Sequence, residues 1–415
     1  MAMKKKPVTG MKDILPAEMQ IRDYVIALIK DTYKSFGFTP IETPCVEHIE
    51  NLQSKQGGDN EKLIFKILKR GEKLNLETAS SEADLVDGGL RYDLTLPLSR
   101  FYSNNANDLP SPFKALQIGP VWRADRPQRG RFRQFYQCDI DILGDSSCLA
   151  EIELITATTT LLGKLFDNFR VRINDRAILK AMAAYSGFPE DSFDKVFIIL
   201  DKMDKIGMEG VRSELLEEGY DQDSVDKYLN LFTGTEQEAD PIAWLQDQLG
   251  SFLPQGTAES LSTIMESASR IQSVPYELVF DPTLVRGMSY YTGTIFEIDM
   301  PDFGGSVAGG GRYDKMIGNF TGKETPAVGF SIGFERIVTL LLEHGWQVPG
   351  QMEKVAFLIE KKMPSDKLCQ IMEEAANLRF QGCCVLVTTM NKNKKFQKQQ
   401  LEAEGYTDFK EFFCR

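Results

Sequence analysis

Two runs rich in β-forming residues, FKALQIGPVWRA and RFRQFYQCDIDILG, flank the six-residue loop DRPQRG between positions 113 and 144. Their alternation predicts two strands joined as a hairpin, so the loop between them lies on a hairpin and not along a helix face. Five arginines (Arg123, Arg126, Arg129, Arg131 and Arg133) crowd eleven positions around its tip. A guanidinium stays charged and is costly to bury unpaired, so these side chains face solvent or a polyanion. The second option carries chemistry: a guanidinium fork grips phosphate oxygens bidentately and stabilises a phosphoryl centre that gains charge. The whole chain holds 60 acidic and 48 basic residues, net −12. That balance argues against a protein that coats nucleic acid and makes the arginine cluster a local device.

The remaining pattern is mixed. Pro16 and an apolar face of Ile21, Tyr24, Val25, Leu28 and Ile29 predict a helix over 16–36. FGFTPIETPCVE reads as an extended edge, EKLIFKILKRGEKLNLE as a hairpin turning at Arg70-Gly71, and GLRYDLTLPLSRF as a strand that stops at Pro97, where a helix begins. Residues 148–168 are helical in pattern. So is most of 176–275, where 18 acidic residues face only 8 basic ones and the stretch looks inserted. Strands return at YELVFDP, GTIFEID and SVAGGGRYD. PAVGFSIGFERIVTLLLEHG predicts a strand leading into a helix with Phe334, Ile337, Val338, Leu341 and Leu342 buried. After the linker WQVPGQME, alternating strands and helices predict a small α/β unit.

Several chemistries are excluded. No G-x-x-x-x-G-K-[ST] phosphate loop and no strand-linked G-x-G-x-x-G is present. Only two histidines occur, His48 and His344, neither near a polar cluster, so a histidine base is not expected. Seven scattered cysteines lack metal-type spacing, no apolar run reaches the ~18 residues of a membrane span, and the start lacks the apolar stretch of a secretory signal. The expectation is a cytoplasmic protein with reduced thiols, no protein-bound metal and no disulfides. Its chemistry should rest on charge stabilisation.

Five stretches together resemble a known family. KALQIGPVWRADRPQRGRFRQFYQCDIDILG resembles motif 2 of the class II aminoacyl-tRNA synthetases, PAVGFSIGFERIVTLL their motif 3 and FGFTPIETPCVE their dimer-forming motif 1. DPTLVRGMSYYTGTIFEID and VAGGGRYDKMI are similar to the two histidine-specific signatures of the histidyl-tRNA synthetase family, and GMKDILP and LRYDLTLPLSRF match it as well. The resemblance implies an α+β fold: an antiparallel sheet flanked by helices, interrupted by a mostly helical insertion and followed by a small α/β domain. The implied divisions are 1–175 and 276–345 for the catalytic core, 176–275 for the insertion, 346–352 for a linker and 353–415 for an anticodon-binding-like domain.

The resemblance also implies roles. Arg123 would contact the α-phosphate of ATP, with Asp125 standing where relatives carry glutamate, and Arg336 would hold the far end of ATP. Arg286 would stabilise the α-phosphoryl centre. Asp93, Thr95 and Gln137 would face the ammonium group of histidine, and Asp141, Tyr291 and Tyr313 would line its imidazole pocket. Arg126, Gln128 and Arg129 would meet the acceptor end of tRNA, while Lys394 and Lys395, in a basic strip with Lys392 and Lys398, would meet tRNA phosphates. The partners implied are histidine, ATP with Mg2+, histidine tRNA and a second copy of the chain in a homodimer. From the residues alone, Asp93 and Asp141 read first as strand-edge acids paired with nearby arginines, and Tyr290 and Tyr291 as alternating strand residues, one in the core and one in the site.

The implied reaction is adenylation of histidine followed by transfer to tRNA. A carboxylate nucleophile is already ionised at neutral pH, so the missing histidine base is consistent with it. The family's closing domain has roughly ~100 residues, against 63 from 353 to 415, so a shortened domain is expected. Two alternatives remain open: a regulatory paralogue like the subunit of the histidine-biosynthetic ATP phosphoribosyltransferase, and a paralogue that activates histidine for an acceptor other than tRNA.

Overall fold

The computed structural model describes residues 3–53, 61–285 and 290–414. Residues 1–13 with 25–344 form one compact unit, and 14–24 with 345–415 a second.

The first unit is built on a sheet of eight strands: β1 (Thr39–Pro40), β5 (Phe113–Trp122), β6 (Gln134–Leu143), β7 (Arg170–Asp175), β8 (Glu277–Phe280), β9 (Thr294–Met300), β10 (Gly305–Arg312) and β11 (Ala327–Ile332). Their order across the sheet is β1-β5-β6-β11-β10-β9-β7-β8. The hairpin is present as expected, β5 running antiparallel to β6 from Phe113↔Leu143 to Trp122↔Gln134. The chain then crosses out of sequence order, because β6 takes β11 as its next neighbour. One transverse row therefore sets Asp139, Ser331, Gly309, Glu297 and Arg172 side by side, and the row two residues along sets Asp141, Gly329 and Gly311. Side chains alternate across a strand, so these two rows share a face, and their glycines leave that face open above β10 and β11.

The other face is covered by the helix Leu149–Leu162, apolar nearly all round, and by Phe334–Glu343. In the latter, Phe334, Ile337, Val338, Leu340 and Leu341 are buried. Leu342, expected on that stripe, is 39% exposed, because it lies one step beyond the arc that meets the sheet.

Residues 176–275 form six helices: Arg176–Ser186, Phe193–Leu200, Met203–Glu217 (broken at Gly207), Gln222–Gln237, Pro241–Leu249 and Thr257–Arg270. Their starts are written in the sequence. Asp175, Asp221 and Asp240 accept from Ala177, Ser224 and Ala243 backbone N–H groups, and Pro241 occupies a first-turn position. Their acids lie outward, around a core that includes Leu200, Val211, Leu215, Leu229 and Leu245. Among the described residues no helix is long and apolar enough to cross a membrane.

Two local expectations fail. The run after Arg70-Gly71 is not a return strand: β3 (Lys66–Leu68) pairs instead with β4 (Val86–Leu90), which also pairs with β2 (Val46–His48). Leu76 is 71% exposed, so nothing buries the face that a second strand would need. The helix expected at Pro97 starts earlier, as Thr95–Asn105, with Pro97 in its first turn, where a missing N–H costs nothing.

The second unit is a three-stranded parallel sheet in the order β13 (Cys384–Thr389), β12 (Lys354–Ile359), β14 (Asp408–Phe412), with helices Ser365–Phe380 and Lys394–Ala403. Val355, Phe357 and Ile359 pack one face, and Ala356 and Leu358 the other.

Candidate active site

The open face holds a cleft lined by Asp93, Thr95, Arg123, Gln137, Asp139, Asp141, Tyr290, Tyr291, Gly309, Tyr313, Gly329, Phe330 and Ser331. Seven of the residues singled out from the sequence meet here, though they come from five separate stretches of the chain. Asp93 stands just ahead of the helix Thr95–Asn105 and accepts from the Leu96 N–H at 3.0 Å, an anion at a helix N-terminus. Gln137, Asp139 and Asp141 alternate along β6 onto the cleft face. Gly329 has to be glycine, because a Cβ there would lie 2.0 Å from Asp141 Oδ1.

The bonds inside the cleft leave a defined set of free positions. The Tyr313 phenol donates to Asp141 Oδ1 at 2.6 Å, and Asp141 Oδ2 is buried with no hydrogen-bond partner. Gln137 Nε2 donates to Ser331 Oγ at 3.2 Å, Ser331 Oγ donates to Asp139 Oδ1 at 2.5 Å, and Gln137 Oε1 is likewise buried without a partner. An orphaned buried acceptor costs about 1–3 kcal/mol, so the cleft is poised for a ligand that brings donors to both points.

Charge tells the same story. Burial pushes Asp141 up to about 7, opposed by the Tyr313 bond. Burial and then the neighbouring Asp141 push Asp139 well above the usual carboxylate range, and burial raises Asp93, while Arg123 favours the ionised form of both. Three carboxylates thus share a confined space with Arg123, an arrangement that attracts a cation. Burial keeps the Tyr291 and Tyr313 phenols protonated. Tyr290 and Tyr291 do not alternate on a strand. They precede β9 as a turn, their ring centroids are 4.3 Å apart, and both face the cleft. Nor does Asp141 pair with an arginine; its partner is Tyr313.

Arg123 is fixed by its Nε–H donating to Tyr92 O at 2.7 Å and by lying 5.3 Å from the Phe135 ring centroid. Arg336 lies outside this cleft, where it donates to Ser306 O and stacks on Phe303. Asp125 offers its backbone oxygen to Arg133 Nε. Arg286 falls outside the described residues.

On the hairpin loop Arg126 and Gln128 are exposed, but Arg129 is bound to Glu343 (3.0 and 2.5 Å) and to Phe303 O. The expected lysine strip also divides. Lys394 and Lys398 both pair with Glu411, at 2.8 and 2.7 Å, leaving Lys392 and Lys395 exposed. Lys392 precedes the helix Lys394–Ala403, the helix carries the other three on more than one face, and β14 neutralises the face it meets.

Asp139 and Ser331 went unnoticed in the sequence, and Tyr290, which the alternation reading set in the core if Tyr291 is the site residue, lines the cleft as well. The alternation that carries Gln137 and Asp141 also carries Asp139, so it was legible; Ser331 required the pairing of β6 with β11. Arg312 of GGGRYD is a structural residue, held bidentately by buried Glu151 at 2.7 and 2.8 Å. A larger cavity of about 940 Å³ lies over β7 to β9. Arg172, which lines it, is held by Asp281, Asp299 and Asp204, so this charge is already answered.

A family profile described as Histidyl-tRNA synthetase matches residues 10–337. The histidine–tRNA ligase of Leifsonia xyli subsp. xyli is 43% identical over 99% of this chain and 95% of its own length. The crystal structure of histidyl-tRNA synthetase from Nostoc sp. PCC 7120 superposes with a TM-score of 0.81 at 27% identity, covering 97% of this chain and 90% of that one. A structure titled as an ATP phosphoribosyltransferase regulatory subunit/histidyl-tRNA synthetase, from Bacillus halodurans C, reaches the same TM-score of 0.81 over 100% of both chains. At 20% identity it speaks to the fold alone. Motif order, cleft and relatives agree: the chain belongs to the histidyl-tRNA synthetase family.

Proposed function

We propose that this chain is a histidine–tRNA ligase, which joins histidine to ATP as histidyl-adenylate, releases pyrophosphate and passes histidine to the 3′ end of histidine tRNA. The observation that carries the reading is the pair of orphaned acceptors, Gln137 Oε1 and Asp141 Oδ2, in a cleft rich in carboxylate. Histidine supplies donors for both. Its ring N–H reaches Asp141 Oδ2, and the second ring nitrogen accepts from Tyr291. Its ammonium reaches Gln137 Oε1, with Asp93 and Thr95 beside it. A neutral imidazole offers one donor and one acceptor, and a site built for both rejects side chains that leave either unpaired, by as much as about 10⁴-fold.

The carboxylate of histidine then attacks the α-phosphorus of ATP in line, and pyrophosphate leaves. No base is needed, since the nucleophile is already an anion. Arg123 holds it against the α-phosphate, Arg286 stabilises the phosphoryl centre, and Arg336 and Asp125 hold the remainder of ATP, which enters as its Mg2+ complex.

For the second step Arg126, Gln128 and Arg129 receive the acceptor end of tRNA, for which Arg129 must exchange Glu343 for a phosphate. Residues 353–415 serve as an anticodon-binding-like domain, with Lys395 better exposed to RNA than Lys394. The core divides as 1–175 and 276–345 around the insertion 176–275, with a linker at 346–352, and the protein acts as a cytoplasmic homodimer.

The test is amino-acid-dependent ATP–pyrophosphate exchange, followed by charging of histidine tRNA. Exchange with histidine alone, and transfer to tRNA, are expected. Histidine binding without exchange would overturn the reading in favour of a regulatory paralogue, and exchange without charging in favour of a different acceptor.

A further inference from the structure

We propose that Asp139 is a positioning residue for the substrate ammonium, acting through Ser331 to hold the Gln137 amide with its carbonyl turned into the cleft. The inference rests on the histidine-activating reading above. It starts from the direction of one hydrogen-bond chain: Gln137 Nε2–H to Ser331 Oγ at 3.2 Å, then Ser331 O–H to Asp139 Oδ1 at 2.5 Å. An ionised carboxylate only accepts, so the serine must give Asp139 its one proton. That leaves Ser331 Oγ as an acceptor on its other side, where only the NH₂ end of the amide fits. With the amide reversed, two oxygens without a proton between them would face each other. The charge of Asp139 therefore decides which end of Gln137 meets the substrate, and the end presented is the orphaned Oε1.

The fold makes this chain rigid. Asp139 and Ser331 are directly opposed in the β6/β11 register, and Asp139 is 3% exposed. Gly309, the neighbour of Ser331 on β10, has no side chain to offer the serine another partner. Burial and the neighbouring Asp141 raise the Asp139 carboxyl well above the usual carboxylate range, and Arg123 opposes them; the arriving ammonium, a further positive charge, shifts the balance toward the ionised form in which Asp139 accepts from Ser331.

The test uses Asp139→Asn, Ser331→Ala and Ser331→Thr in the full chain. KM for histidine and for ATP are measured separately by pyrophosphate exchange. Calorimetric affinity is measured for histidine and for imidazolepropionate, which lacks the ammonium. Ser331→Ala and Asp139→Asn should each raise KM for histidine about tenfold, with KM for ATP within about twofold. Threonine, which keeps the hydroxyl, should restore it. Imidazolepropionate should bind all three variants as it binds the native protein. The proposal is overturned if KM for histidine is unchanged in both variants, if the two ligands weaken equally, or if threonine restores nothing. Should the native protein bind histidine yet exchange no pyrophosphate, the catalytic reading fails, and the calorimetric comparison still decides the role of Asp139.

Discussion

Replacing Tyr313 with phenylalanine removes the hydrogen bond to Asp141 Oδ1 at 2.6 Å and keeps the ring in its apolar cluster. A hydrogen bond to a charged group contributes roughly 1.5–3 kcal/mol, equivalent to about one to two pKa units for the carboxyl that receives it. Asp141 starts from about 7 in the native protein, so the variant carboxyl should lie near about 8–9. Histidine needs the ionised form, because its ring N–H must find an acceptor at Oδ2. At pH 7 about half of the native sites are ionised, against roughly 1–10% in the variant. KM for histidine should therefore rise about 5- to 50-fold. Above the raised pKa the two proteins converge, and by pH 9.5 the ratio should be within about twofold. The assay is pyrophosphate exchange at saturating ATP, from pH 7 upward. The ratio of variant to native KM cancels the titration of histidine itself. An unchanged KM at pH 7, or a ratio that stays constant with pH, would refute the assignment of Asp141 as a carboxyl tuned by Tyr313.

Asp141→Asn should separate stability from function. A carboxyl whose pKa rises on folding binds its proton more tightly in the native state, so its own contribution to ligand-free stability is fully present below about pH 4 and is lost as pH climbs through about 7. The Tm of Asp141→Asn, relative to the native protein, should accordingly increase between pH 4.5 and 7.5 while histidine-dependent exchange disappears; a Tm difference flat across that window contradicts the raised carboxyl. Gly329→Ala places a Cβ 2.0 Å from Asp141 Oδ1. Asp141 must move, and calorimetry should show histidine affinity reduced about tenfold or more in a protein with native circular dichroism; undiminished affinity would show that Asp141 does not depend on this bare strand.

The hairpin, the helices of 176–275 and the closing α/β unit were legible because their signals are local. Alternation over ten residues, a proline in a first turn and an aspartate before a helix act within their own segments. The hairpin expected after Lys66 failed for the complementary reason. Its turn residues were present, but a strand also needs a face to bury, and the one available to β3 was β4, some twenty residues on. The five arginines show the same limit. Their number suggested an anion site, yet of the five Arg123 alone lines the cleft, while Arg129 turns to Glu343, a residue 214 positions away.

By itself, then, the sequence determined which residue types were at hand: a cluster of arginines, aspartates and tyrosines in motifs that resemble the histidyl-tRNA synthetase family, and only two histidines. The tertiary structure decided which of them act together. Placing β11 beside β6 brought Ser331 to Asp139 and Gly329 beneath Asp141. That step set the hydrogen bonds of the Gln137 amide, raised the Asp141 carboxyl by burial and left two buried acceptors without a partner. Strand pairing is chosen by the burial of whole faces, a sum over residues far apart in the chain, and no short stretch carries it.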